Sequence, residues 1–130
     1  MTTLARLREE EGSSTTELVL LMPVVLLTIM LSVQAGLYFH ARHVITAAAQ
    51  DALEAAQVEG GDAAAGRADA ETLMAEAGGV RSPVIEITRT ADEVQVHVSA
   101  AAPNVVPGAI WQVTATAYGP VERFVPETDR

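Results

Sequence analysis

Three patterns of apolar and polar positions follow one another along the chain. Leu18 to Phe39 is a run of twenty-two residues without a formal charge, interrupted only by Pro23, Thr28, Ser32, Gln34 and Gly36. At about 1.5 Å rise per residue it reaches roughly 33 Å, enough for a bilayer core of about 30 Å. A helix apolar on every side needs protein or lipid on every side. The roughly ninety residues that follow are poor in large apolar groups and cannot enclose it, so the run reads as a membrane-spanning helix. Helical spacing then continues outside the run. His40 to Gln57 lacks Gly and Pro, and Val44, Ala48, Ala52, Ala55 and Ala56 form a narrow stripe of small residues. Gly60 and Gly61 end it. One helix from about Thr15 to Gln57 is on the order of 65 Å long, half embedded and half projecting, with a kink expected at Pro23.

Asp62 is placed to cap a second helix over Ala63 to Ala77, with Ala70, Leu73, Met74 and Ala77 on one face and Gly78-Gly79 as the stop. The period then changes to two. Val84 to Thr90 reads as a strand, Ala91-Asp92 as a tight turn and Glu93 to Ala100 as the partner strand. On that partner Val94, Val96, Val98 and Ala100 face one way and Gln95, His97 and Ser99 the other. Pro103 and Pro107-Gly108 interrupt, and Ile110 to Tyr118 forms a third strand before Gly119-Pro120. The fold class is α+β: a long N-terminal transmembrane and projecting helix, one short helix, and a three-stranded antiparallel sheet packed on the long helix. A small domain over residues 40–120 and a flexible acidic tail over 121–130 complete the chain.

Composition narrows the partners. The formal charge is −9, and from Val44 onward thirteen acids face five Arg, a net of −8. Such a domain repels nucleic acid and anionic headgroups. Cysteine is absent, which excludes disulfides and thiolate metal sites. The core must be built from Ala and Val, which bury little area each, so modest stability is expected outside the membrane.

The residues at the start of the apolar run carry the functional signal. Gly12-Ser13-Ser14-Thr15-Thr16-Glu17-Leu18 lies where charge gives way to apolar character. A secretory signal has its small-residue cleavage site after the apolar core, whereas here it comes before. Cutting after Gly12 leaves the whole helix on the mature chain, with Ser13 first and Glu17 fifth. That arrangement resembles prepilins. The short leader, Glu17-Leu18, Pro23 within the run, and the small helix-and-strand domain resemble the TadE-like family of the tight-adherence pilus system. The segment Gly119-Pro120-Val121-Glu122-Arg123-Phe124 is similar to actinobacterial members of it. Leu18 departs from the commonest prepilin pattern, which has an aromatic residue after the Glu.

The resemblance implies a leader over residues 1–12, a membrane segment over 13–39, and processing by a prepilin peptidase between Gly12 and Ser13. It implies assembly into a thin adhesive pilus with other pilin-like subunits and the pilus secretion platform, with Glu17 and Pro23 as assembly residues. No enzymatic activity, cofactor or metal is expected. Glu17 has a physical argument of its own. A carboxylate at the edge of an apolar helix is costly. The new amine at Ser13, in the same subunit or a neighbour, offsets that cost. An acid near a helix N-terminus is also favoured without any partner. Arg6 and Arg8 before the helix against Arg42 after it bias the N-terminus to the cytoplasm and the domain to the outside.

Other groups are read more plainly. His40 and His43 have a spacing compatible with a metal but lack a third ligand, and with Arg42 they fit an interfacial position. His97 is expected in solvent. Trp111, Tyr118 and Phe124 are open to two readings, core packing or an exposed patch. The Ala stripe over residues 44–56 equally fits the sheet or another subunit's helix. Two further readings of the whole remain: an unprocessed single-pass accessory protein of a secretion system, and a domain released after Val33-Gln34-Ala35. The glutamates at positions 9–11, where a signal peptide should be basic, argue against release.

Overall fold

The computed structural model describes residues 2–58 and 60–122, with side chains from Thr15 onward. Helix α1 runs Thr2–Gln57 and α2 runs Ala63–Ala77. Strands β1 (Arg81–Arg89), β2 (Glu93–Ala101) and β3 (Gln112–Pro120) follow. They form an antiparallel meander in the order β1-β2-β3. The α+β class and the order of elements are those expected from the sequence. One difference is the start of α1, which extends back to Thr2 instead of beginning near Thr15. Leu4 to Glu11 are mostly strong helix formers, and the single Gly12 does not end the helix.

The core lies where α1 and α2 cover the inner face of the sheet. From α1 come Ala41, Val44, Ile45, Ala48, Ala49, Ala52, Leu53 and Ala56; from β2 come Val94, Val96, Val98 and Ala100. The small-residue stripe therefore covers the sheet and α2. It is wider than the spacing implied, and Ala55 is only half-buried. Side-chain size is graded across the sheet. The inner positions of β3 are Val113, Ala115, Ala117 and Gly119, paired with Ala100, Val98, Val96 and Val94. Small groups there let α1 lie close to β2 and β3, while Ile85 and Ile87 on β1 fill the space towards α2. Packing of Ala against Ala buries little area per residue but brings backbones close, so dispersion replaces bulk.

α2 begins as expected, with the Asp62 carboxylate accepting from the Ala65 N–H at 2.7 Å. It ends at Gly78, whose φ is 64° and whose N–H donates to Met74 O. Its buried positions are Gly66, Ala70 and Met74, with Leu73 half-buried; Ala77, expected on the inner face, is exposed. The stripe is displaced one turn because Gly66 marks the point where α2 meets α1. A Cβ on Gly66 would lie 2.5 Å from the Ala52 carbonyl oxygen.

Strand β1 starts three residues earlier than the alternation implied, with a bulge between Arg81 and Val84 and Ser82 at φ 47°. Pro83 is compatible with that position because β1 is an edge strand and the bulge removes the need for its N–H. The tight turn is closed by Thr90, whose N–H donates to Glu93 O and whose Oγ1 accepts from the Glu93 N–H. The far end of α1 is finished by the sheet. Glu122 N–H donates to Gln57 O at 2.9 Å, and the Gln57 amide donates to Pro120 O at 3.0 Å. Of the expected flexible tail, Val121 and Glu122 are thus hydrogen-bonded, Val121 through Asp92 O; residues 123–130 lie outside the described residues.

Gly66→Ala tests the close approach of the helices. The substitution gains about 1 kcal/mol of helix propensity. It must also push a Cβ into backbone, which costs about 1–3 kcal/mol. The net expectation is a melting temperature lower by a few degrees in detergent, followed by circular dichroism. A rise would show that α1 and α2 are not held at this distance.

Candidate functional site

The apolar half of α1 has no protein around it. Only 6% of its most apolar eighteen-residue window is buried. Leu18, Leu20, Leu26, Leu27, Ile29, Leu31 and Val33 are all exposed. A core helix would be enclosed, so this segment is long, apolar and bare in the manner of a single-pass anchor. Its hydroxyls are satisfied within the helix: Thr28 Oγ1 donates to Val24 O and Ser32 Oγ to Thr28 O, each at 2.8 Å. That pattern suits a medium without competing water. The helix is continuous through Pro23, whose ring faces outward and which leaves the carbonyl four residues back without its usual donor.

Glu17 is exposed, one residue before the apolar run. Gly12 and Ser13 lie on the backbone of α1, where side chains are outside the described residues. On helical geometry Ser13 and Glu17 are about one turn apart on the same side, a rise of about 6 Å.

The group that sequence reasoning missed is Gln34. It is 1% exposed, the one buried polar side chain among the described residues. Its Nε2 donates to Pro103 O at 3.1 Å, and its Oε1 accepts from Val105 N–H at 2.9 Å and Val106 N–H at 3.4 Å. The loop between β2 and β3 therefore folds back along α1 to a residue within the apolar run. Unlike the Thr28 and Ser32 hydroxyls, which bond back to their own helix, an amide has two N–H donors and an acceptor oxygen to satisfy, so Gln34 was the polar interruption in the run that called for an outside partner. Beside this clamp, Trp111 meets Tyr38 edge-on at 6.5 Å, and Tyr38 meets Phe39 at 5.8 Å. The indole N–H of Trp111 is buried without an acceptor.

The aromatics weighed together are not together. Trp111 packs at the membrane end of the sheet, whereas Tyr118 is 72% exposed near the other end of β3. Phe124 lies outside the described residues. His40 and His43 are both exposed, His40 against Gly79, where a Cβ would meet its ring. Among the described residues no group of three or more His, Asp or Glu is placed to hold a metal. His97 is half-buried, and its Nδ1 is 3.0 Å from Thr116 Oγ1 on the outer sheet face. A groove lined by Asp51, Asp69, Thr72, Leu73 and Glu76 runs between the helices, open and acidic.

Residues 12–53 match the family model of TadE-like protein. The matched stretch begins at Gly12, takes in Glu17, Pro23 and Gln34, and stops short of α2 and the sheet. No curated protein and no solved structure matches the chain. The likeness to TadE-like pilus proteins is thus a property of the long helix.

Gln34→Leu should leave the loop's N–H groups without an acceptor in a buried position, a loss of about 1–3 kcal/mol. Hydrogen exchange at Val105 and Val106 in the detergent-solubilised chain should rise about tenfold to a hundredfold, with Val96 unchanged. Unchanged exchange at Val105 would mean that the loop holds its place without the clamp.

Proposed function

We propose that this protein is a pilin-like, TadE-like subunit anchored in the cell membrane and used to assemble a thin adhesive pilus. In this reading a prepilin peptidase on the cytoplasmic side removes residues 1–12 after Gly12. The mature chain then begins at Ser13, spans the membrane over 13–39, and presents residues 40–120 outside, with a tail from 121. Its role is structural, with other pilin-like subunits, the pilus secretion platform and membrane lipid as partners. The observation that carries the reading is that the family match starts at Gly12 and runs up a helix whose apolar half is bare.

The chemistry fits an assembly role better than a catalytic one. Glu17 stands at the edge of the apolar segment, where an unpaired carboxylate is costly. A neighbouring subunit's N-terminal amine would offset that cost and define the stagger between adjacent helices. Pro23 leaves a carbonyl free in the apolar segment, a second polar feature that packing against another helix would cover. The Ala stripe is already used against the sheet, so subunit contacts fall to the exposed apolar half of α1.

The N-terminal residue and mass of the protein from its native cell test processing directly. Ser13 at the N-terminus supports it; an intact Met1 favours an unprocessed single-pass accessory protein of a secretion system. Gly12→Leu should block the cut, because a peptidase must approach the backbone where no Cβ stands. An immunoblot should then show the full-length chain alone, against a shortened one in wild type. Glu17→Ala should still insert and still be cut, yet yield no surface pili when it is the only copy. Normal pili from that strain would overturn the pairing of Glu17 with an amine.

A further inference from the structure

We infer that the loop between β2 and β3 is a second membrane-contacting element, its apolar tip seated in the interface of the leaflet on the sheet side. The inference rests on α1 spanning the bilayer and concerns where that bilayer ends. The stretch Leu18–Val33, exposed except for the half-buried Met30, is sixteen residues, about 24 Å of helix. A hydrocarbon core of about 30 Å needs roughly four residues more. Those residues are Gln34 to Leu37, and at that level α1 is covered on one side, where the loop is clamped to Gln34, while Ala35 and Gly36 stay exposed. The first cluster of polar side chains, His40, Arg42 and His43, lies about 9 Å beyond Gln34 along the helix. The hydrophobic thickness is met only if the loop lies at the hydrocarbon boundary beside the helix.

The loop is built for that position. From Val94 to Val121 the chain carries no Asp, Glu, Lys or Arg, although the domain as a whole is strongly acidic. Ile110 is 81% exposed and Phe39 57% exposed, and the side chain of Val105, whose N–H is held by Gln34, is exposed as well. An apolar tip bare in water is unfavourable, whereas continuity with the lipid-facing surface of α1 gives it a solvent. The loop's polar groups are managed internally. Pro103 and Pro107 have no N–H to leave unpaired, the Asn104 amide donates to Ala109 O, and the N–H groups of Val105 and Val106 are taken by Gln34. Tyr38 and Trp111 stand at the same level, where aromatic side chains are favoured between hydrocarbon and headgroups.

The chain has no cysteine, so single-cysteine labels are unambiguous. Ile110→Cys, Gln95→Cys and Val25→Cys, each at an exposed position, are labelled with an environment-sensitive fluorophore. The full chain is reconstituted in phosphatidylcholine vesicles. Two quenchers are compared: a nitroxide near the headgroup end of the acyl chain, and iodide in the water. The label at Ile110 should be quenched by the lipid nitroxide several-fold more than that at Gln95, and by iodide several-fold less. The label at Val25 should be shielded from iodide in every case. If Val25 is shielded while Ile110 responds to iodide as Gln95 does, the anchor stands and the loop is in water, which overturns the inference. If Ile110 is shielded from both quenchers, another copy of the chain covers the tip, which also overturns it. Iodide reaching Val25 would overturn the anchor and the inference together.

Discussion

One helix has to satisfy two solvents, and the rest of the structure depends on where the exchange takes place. From Leu18 to Val33, α1 is apolar on every side and exposed almost throughout. From Ala41 onward it is apolar on one side only, and that side is covered by protein. Between the two lies a short transition in which the helix is too apolar for water and too polar, at Gln34, for hydrocarbon. The β2–β3 loop resolves that conflict by supplying a carbonyl and two N–H groups to the amide. The placing of the sheet follows, since a loop fixed at Gln34 and a strand end fixed at Gln57 leave β3 little freedom to slide along the helix.

The core shows how a domain poor in large residues can still hold together. Ala41, Ala48, Ala49, Ala52 and Ala56 contribute little area each, so the gain per residue from removing apolar surface is small. Proximity compensates in part. Gly66 against the Ala52 carbonyl is a place where a single methyl group would collide with backbone, and at Gly119 it would displace the Gln57 amide. Stability of this kind is sensitive to added volume more than to lost volume, the reverse of a core built on Leu and Phe.

The element order was legible because each pattern was simple. The change from helical to strand periodicity after Gly79 located the sheet, and the alternation from Val94 to Ala100 gave its inner face correctly. Asp62 and Gly78 announced the ends of α2 through chemistry that acts over three or four residues. Less was visible where contacts join distant parts of the chain. Ala77 was expected on the inner face of α2 because it continues a spacing, but Gly66 took that role because α1 passes there, and no local pattern records the crossing. Pro83 hid the first residues of β1, since its compatibility with a strand depends on that strand being at an edge. The candidate site divides in the same way. Glu17 and Pro23 stand out from their neighbours and were seen; Gln34 needed a partner some seventy residues away in sequence. Tyr118 falls by the period of two with Gln112, Thr114 and Thr116 on the exposed face and Trp111 with Val113 on the inner one, a signal that weighing the aromatics as a group passed over.

The unbroken passage of α1 from membrane to sheet has a mechanical meaning. With no linker between anchor and domain, and with the sheet fastened at Gln34 and again at Gln57, the outer part behaves as a lever fixed to the membrane helix. The two fastening points are separated by about 34 Å of helix, and a membrane-helix tilt of about 20° would displace the outer one sideways by about 12 Å. Small rotations of the anchor against its neighbours are thereby converted into large excursions of the outer domain. A load applied to that domain returns along the same axis as torque on the embedded segment.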